Sequence, residues 1–486
     1  MKQSIASDAV KLTASKIITL TISMINAVIL SHFRTLEEYG TYSQLLMVIN
    51  LASTIFMVGL PNSINFFLAR AENDDEKQRF LSVYYTLTTV LGLITGLILV
   101  LSTSLIMKYF DNSLIKNFMY VFAIFPWVQI VLSSIDNIFI VYHKSSNLML
   151  FRILNSILLL LTIIIVEIFH WNFKIYMLLF IIVESILAFS VYVIVRNLVG
   201  KIAVSFDKSL IKKILKFTVP LGLASVVGTL SVELDKLLIG RFFDTEELAI
   251  YANAAREMPV TIIASSLTAV LMPKLVYLLK KNKTEEAITL WGNATALSYI
   301  FICFIATGLF VYAPQVISLL YSDKYVPGVP VFRVYTIVLL LRCTYFGMIL
   351  NSIGKTKLIL YSSLASLGLN VVLNYLFYRI FGYIGPAIAT FVSIAIVAFY
   401  QLVVTSKSIN IPLWSMFPWY KLTAITLINI FMGLIFAIVK EFISLELYTS
   451  DIIESLILGF IWGIMYILIA FRYIKQYWTS LSKEKV

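Results

Sequence analysis

ASKIITLTISMINAVILSHFRTLEEYGTYSQ, residues 14–44, returns in altered form as ASVVGTLSVELDKLLIGRFFDTEELAIYAN at residues 224–253. With one single-residue gap near Leu30, nine of 30 aligned columns are identical: Ala14/Ala224, Ser15/Ser225, Thr19/Thr229, Leu20/Leu230, Ile29/Ile239, Phe33/Phe242, Glu37/Glu246, Glu38/Glu247 and Tyr42/Tyr251. In a chain this rich in Leu and Ile, roughly two or three matches arise by chance, so the polar identities carry the signal. A period of about 210 residues is too long for a solenoid and suits a duplicated multi-helix half.

The surrounding composition places both copies in a membrane. The chain is 60% apolar and 13% charged, with a mean hydropathy of +0.92, about half the charge of an ordinary soluble domain. Apolar runs of about 20 residues, separated by short polar breaks, indicate helices, because barrel strands would alternate every second residue over about 10. The first run imitates a secretory signal, but no small-residue cleavage site follows it and it has a counterpart inside the chain; it reads as a retained first span. The net charge of +12 is scattered between apolar spans and forms no single patch, so no nucleic-acid partner is expected. Cys303 and Cys343 lie within apolar runs, and His32, His143 and His170 stand far apart. Neither set suggests a disulfide framework, a metal or a cofactor.

The expected fold is an all-α integral membrane protein of about 14 helices. Residues 1–200 form an N-terminal six-helix lobe, 201–410 a C-terminal six-helix lobe, and 411–486 two additional helices with a tail. With the N-terminus in the cytoplasm, 26 of the 38 Lys and Arg fall at cytoplasmic ends and loops and 10 opposite. That bias places both termini in the cytoplasm. The basic segment Arg196 to Lys216 joins the lobes. An even number of spans separates the two copies of the repeat, which relates the lobes by a pseudo-two-fold axis along the membrane normal with a pathway between them. Pro126, Pro220, Pro259 and Pro386 fall inside apolar runs, where each removes a backbone hydrogen bond and kinks its helix.

Helical spacing puts Thr19, Ser23 and Asn26 on one face of span one, with Lys16 on its flank. The aligned positions of the second copy, Thr229, Glu233 and Lys236, form a matching stripe that has become ionic. Lipid cannot solvate such groups, so the stripes should face the protein interior or a watery cavity. Two readings of Glu233 and Lys236 stand open: an ion pair that neutralises itself, or part of a charged cluster with Asp235, Arg256 and Glu257 that holds phosphate and senses a cation. Arg342 falls near the centre of span ten, residues 331–353, without a partner one turn away; a cavity-facing anion site and a structural role are the alternatives. Glu184, central in span six, is the corresponding acidic candidate. Asn62 and Asn65 share a face after Pro61, suited to sugar hydroxyls or to interhelical hydrogen bonds. There is no HExxH, Walker loop, GxSxG or paired-carboxylate motif and no large soluble loop, so the chain does not read as an enzyme.

The run Phe33 to Arg70 and the second-half run DKLLIGRFFDTEELAIYANAAREMPVTIIASSLTAVLMPKL resemble the oligosaccharide flippases, the polysaccharide transporter branch of the multidrug/oligosaccharidyl-lipid/polysaccharide exporter superfamily. Asn370 to Asn374 and FGYIGPAIAT from Phe381 resemble that family's second-half pattern. The resemblance implies two six-helix lobes around a cavity that opens alternately to each side of the bacterial cytoplasmic membrane. Its implied cargo is a short glycan on undecaprenyl pyrophosphate, moved to the outer leaflet by a monomer, with membrane lipids as further partners and Na+ or H+ as a coupling cation. By position, the pyrophosphate-facing cations become Lys16, Lys236, Arg256 and Arg342. Asn26, Asn62 and Asn65 become cavity amides; Glu233, Asp235 and Glu184 become ion-coupling candidates. The apolar final helices fit a groove for the lipid tail. An ion-coupled multidrug exporter of the same superfamily and a membrane glycan polymerase are the alternatives.

Overall fold

Backbone polar groups inside a bilayer must be satisfied within the segment that carries them, and the apolar runs do this as helices. The computed structural model describes residues 5–256, 258–442 and 451–483, which contain no strand. Packing divides the chain into two compact units, Met1–Ala249 and Ile250–Val486. By length and composition, 11 of the described helical stretches can cross a membrane, or up to 13 if each bent pair counts as one span. The expected fourteen is not confirmed by that count, in which residues 356–409 are scored as one stretch although they hold two helices.

The first unit comprises α1 (Ile5–Phe33), α2 (Leu36–Met57), α3 (Pro61–Ser63) running into a π-helix (Ile64–Leu68), α4 (Asp74–Leu101), α5 (Thr103–Phe110), α6 (Ile115–Phe122), α7 (Phe125–Val141), α8 (Ser145–Ile168), α9 (Phe173–Val199) and α10 (Lys208–Phe242). The unit boundary falls inside α11 (Thr245–Ala254). The repeated polar identities prove to be helix-start chemistry. Thr35 and Glu38 form a capping box at the head of α2, and Asp244 accepts the Glu247 N–H at 2.7 Å at the head of α11. Such caps satisfy backbone donors that a helix leaves unpaired in its first turn.

Two spans of this unit are bent. The α2–α3 pair turns by 45° and the α6–α7 pair by 47°. The first bend rests on Val58 and Gly59, both in the left-handed region at φ of 51° and 69°, so the helix ends there and Pro61 opens the next one. Proline is tolerated at the first helical position because its missing N–H would be unpaired anyway. Pro126, Pro259 and Pro386 likewise lie in the first turn of α7, of a 3-10 turn and of the helix Gly385–Ile409 respectively, where a missing N–H costs no helical bond. Of the four prolines expected to kink a helix, Pro220 in α10 lies in a helix interior.

α10 packs against α2 through glycine. A side chain on Gly222 would stand 2.5 Å from the Val58 carbonyl carbon, and one on Gly40 would stand 2.1 Å from the Thr245 oxygen. α1 instead runs parallel to α8. Lys11 Nζ donates to Ser146 Oγ at 2.9 Å near one end; Arg34 pairs with Glu167 and donates to the Trp171 carbonyl at the other.

The second unit continues with α12 (Ile262–Lys280), α13 (Thr284–Val311), α14 (Ala313–Tyr321), α15 (Val329–Leu341), α16 (Met348–Ser352), α17 (Thr356–Phe381), α18 (Gly385–Ile409), α19 (Leu413–Met416), α20 (Trp419–Phe442) and α21 (Asp451–Lys483). The last two long helices are clipped to α13 by polar groups. Asn429 donates to the Tyr466 hydroxyl, which donates to the Ile300 carbonyl at 2.9 Å. Lys421 donates to Asn293, which donates to Ser480. Their other faces leave Phe431, Phe460 and Leu468 exposed, as lipid contact requires.

Candidate functional site

In the first unit, three polar links join the π-helix, α7, α8 and α9. The π-helix presents Asn65, whose amide donates to Asn137 Oδ1 on α7 at 2.8 Å. Single π turns inside helical spans are frequent at functional sites. The next residue inward on the chain from Asn137, Asp136, accepts two bonds from Arg152 on α8, at 3.1 Å from Nε and 2.6 Å from Nη2. One turn along α8, Asn155 reaches Glu184 on α9 at 3.4 Å.

Burial separates the three links. Glu184 is buried, while the Arg152 and Asp136 side chains keep 27% and 38% of their surface open. An ion pair open on one side inside a span faces something other than hydrocarbon, because lipid offers an ionised side chain no partner. Arg152 presents a planar fork of donors, and the fork that fits a carboxylate also fits a phosphate. The parallel register of α1 on α8, set by Lys11 beside Ser146, stands Lys16 level with this pair, and Lys16 is exposed.

The predicted stripes fare differently. On α1, Ser23 is exposed, and the Thr19 hydroxyl and the Asn26 amide oxygen are buried with no hydrogen bond among the described residues. On α10, Lys236 donates to Glu233 at 2.9 Å, both half-buried. Asp235 is buried and its carboxylate accepts the Lys236 backbone N–H. Arg256 follows the end of α11 in the second unit, and Glu257 lies outside the described residues. Asn62 is exposed next to Pro61.

In the second unit Arg342 is not in mid-helix. α15 ends at Leu341, Arg342 is its C-cap, and helix resumes only at Met348. Within the interruption, which ends at Gly347, the Thr344 hydroxyl accepts a 2.9 Å bond from the Trp291 indole. The last carbonyls of α15 form the negative end of its dipole, which favours a cation at this position. Arg342 is exposed there. Between α17 and α18, buried Asn370 reaches Thr390 and Ser393 at 3.4 Å each and accepts from Asn374 at 3.0 Å. The Asn374 amide oxygen is buried with no hydrogen bond among the described residues.

With this geometry in place, comparison with known proteins decides the family. Residues 29–330, more than half of the chain, match the family described as polysaccharide biosynthesis protein. The chain belongs to that family. The likeness to flippases read from the sequence is therefore borne out at family level. No curated protein matches the chain by sequence.

Among solved structures, this polysaccharide biosynthesis family protein is similar to the lipid II flippase MurJ in its inward closed conformation, with a TM-score of 0.78, 16% identity, and coverage of 95% of this chain and 98% of that one. It is also similar to an inward-facing multidrug resistance MATE transporter of the MOP superfamily, at a TM-score of 0.64 and 14% identity, covering 83% and 98%. A MOP superfamily transporter from Pyrococcus furiosus follows at 0.56 and 13%, covering 83% and 96%. The fold is thus the multi-pass helical fold of MurJ and the MATE transporters.

Asp136, Asn137, Arg152 and Asn155 were not singled out by the sequence reading. A signal for the ion pair exists: Asp136 and Arg152 each stand eight residues from Lys144, in the tight turn between α7 and α8. In an antiparallel helix pair, residues equidistant from the turn come level.

Proposed function

We propose that this protein moves a lipid-linked oligosaccharide, a glycan on an undecaprenyl pyrophosphate carrier, from the cytoplasmic to the outer leaflet of a bacterial cytoplasmic membrane by alternating access. Family membership supports a role in polysaccharide synthesis, and the MurJ fold supports a lipid-linked cargo. The observation that carries the reading is the half-open Asp136–Arg152 pair inside a membrane wall. A pyrophosphate oxygen can replace Asp136 on the guanidinium fork without rearranging Arg152, since both ligands are planar or tetrahedral oxygen pairs of similar bite. The released carboxylate then becomes a place for a coupling Na+ or H+, with Glu184 two links away as a second acidic group. Lys16, at the same level, adds attraction for the anion; Lys236, Arg256 and Arg342 are assigned the same role, Asn26, Asn62 and Asn65 contact the glycan, and Glu233 and Asp235 remain coupling candidates.

The test is flipping of a lipid-linked glycan in proteoliposomes, read as substrate reaching the opposite leaflet. Arg152→Ala is expected to lower the rate by about a hundredfold, as loss of a buried charge contact worth about 3 kcal/mol would. Arg342→Ala and Lys236→Ala are each expected to impair flipping while leaving membrane insertion intact. Normal rates in all three would end the proposal. A second reading, an ion-coupled multidrug exporter, is favoured by the MATE likeness; export of cationic dyes with no response to lipid-linked glycan would select it.

A further inference from the structure

The linker between α9 and α10, residues 200–207, is neither helix nor loose loop. Gln78, Ser82 and Thr86 stand one turn apart on α4, and each holds one backbone group of the linker. Gln78 donates to the Lys201 carbonyl, Ser82 Oγ accepts the Ala203 N–H at 3.2 Å, and Thr86 Oγ1 accepts the Ser205 N–H at 3.0 Å. Four helical residues rise about 6 Å, the distance that two residues of extended chain cover at about 3.3 Å each. The linker therefore lies extended along α4, two residues to the turn. Arg79 closes this strap by pairing with Asp207, which also caps α10 through the Leu210 N–H at 3.1 Å.

An extended chain turns alternate side chains to one face. Val204 and Phe206 share such a face and are 80% and 62% exposed. Nothing in the first unit covers them. Lys201, Lys208, Lys212, Lys213 and Lys216, all exposed, flank the pair along the chain. Of the carboxylates nearby, Asp207 is tied to Arg79, and Asp74, Asp75 and Glu76 occupy the first turn of α4, before the Gln78 contact.

Depth follows from the length of α4. Its 28 residues span about 42 Å, more than the roughly 30 Å of hydrocarbon, and the surplus must be its charged first turns. Ser82 and Thr86 then lie where headgroups give way to acyl chains. An apolar pair held by its backbone at this level, followed along the chain by a run of exposed lysines, matches the interface of an anionic leaflet, which accepts shallow apolar insertion and attracts lysine.

We propose that the strap is a lipid anchor: Val204 and Phe206 insert into the leaflet, and the surrounding lysines bind the phosphates of anionic phospholipids. The probe is an environment-sensitive fluorophore on Phe206→Cys, with Val204→Cys as a second site and Asp75→Cys as the water-exposed control. The native Cys303 and Cys343 are buried. In phosphatidylcholine vesicles containing phosphatidylglycerol, doxyl-labelled lipid is expected to quench the label at 206 or 204 at least about threefold more than at 75, as interfacial insertion requires. Iodide is expected to do the reverse. Omitting phosphatidylglycerol, or replacing Lys208, Lys212 and Lys213 by Gln, is expected to weaken the lipid quenching. Equal iodide access at 206 and 75 would overturn the anchor. So would shielding from iodide without lipid quenching, the sign of a protein cover, and so would indifference to both phosphatidylglycerol and the lysines.

Discussion

α1 and α10 carry the two copies of one sequence pattern, and they are held in opposite ways. α1 contains no glycine and is fastened to α8 at its ends, by Lys11 to Ser146 and by Arg34 to Glu167 and the Trp171 carbonyl. α10 is fastened along its length by close backbone approach, Gly222 on Val58 and Gly59, and Gly240 on the Phe110 ring. Of its charged residues, Lys236 pairs with Glu233 within the helix, and Arg241 reaches the Tyr109 carbonyl at the end of α5. Polar clips cost desolvation but fix register, whereas small-residue contacts gain dispersion only if both surfaces stay small. The two copies therefore share their helix-start chemistry while the means of packing differ.

That contrast can be broken at its strongest point first. Arg34 is buried against Glu167, so Arg34→Ala should lower unfolding stability by about 3 kcal/mol, because it leaves a largely covered carboxylate unpaired. A thermal melt in detergent checks this, and Arg34→Ala with Glu167→Ala should recover part of the loss. An unchanged melting temperature would show that α1 is not held by its ends. Next, Gly222→Val places a branched side chain against the Val58 carbonyl and should cost about 2 kcal/mol by overpacking. Tolerance of valine there would mean that α10 does not depend on close approach.

Smaller still is the effect of Lys236→Ala on the melt, about 0.5 kcal/mol for an i,i+3 pair. If its flipping rate falls far more than its stability, the second copy serves the cargo rather than the fold; a proportionate fall would assign the pair to structure. The smallest effect is acidic. Arg79, and then the Leu210 N–H, hold the Asp207 carboxyl below the usual carboxylate range. Since the folded form has the lower pKa, its contribution is present throughout neutral pH and is lost only as pH falls below about 4. Cysteine labelling of the strap should be flat from neutral to mildly acidic pH and rise below that, and Asp207→Asn should remove the rise.

Much of this was legible in the chain. Hydropathy gave the helical class, the resemblance of the runs from Phe33 and Asp235 gave the flippase family, and i,i+3 spacing gave the Glu233–Lys236 contact that the structure contains. Arg342 was placed in mid-helix because a run of apolar residues reads as continuous helix, whereas the helix breaks between Leu341 and Met348. Asp136 and Arg152 were missed because attention to neighbours within one helix overlooks partners across a turn. The orphaned amide oxygens of Asn26 and Asn374 needed coordinates, since no spacing reveals what a residue fails to meet.

The strap along α4 sets a rule of parity for the linker. Because alternate N–H groups face Ser82 and Thr86, inserting one residue after Lys201 would pass both bonds to neighbouring N–H groups and rotate Val204 and Phe206 to the opposite side. Inserting two would restore that face but lengthen the run between the Gln78 contact and the Arg79–Asp207 pair. The exposed apolar pair therefore depends on whether the linker is lengthened by an odd or an even number of residues.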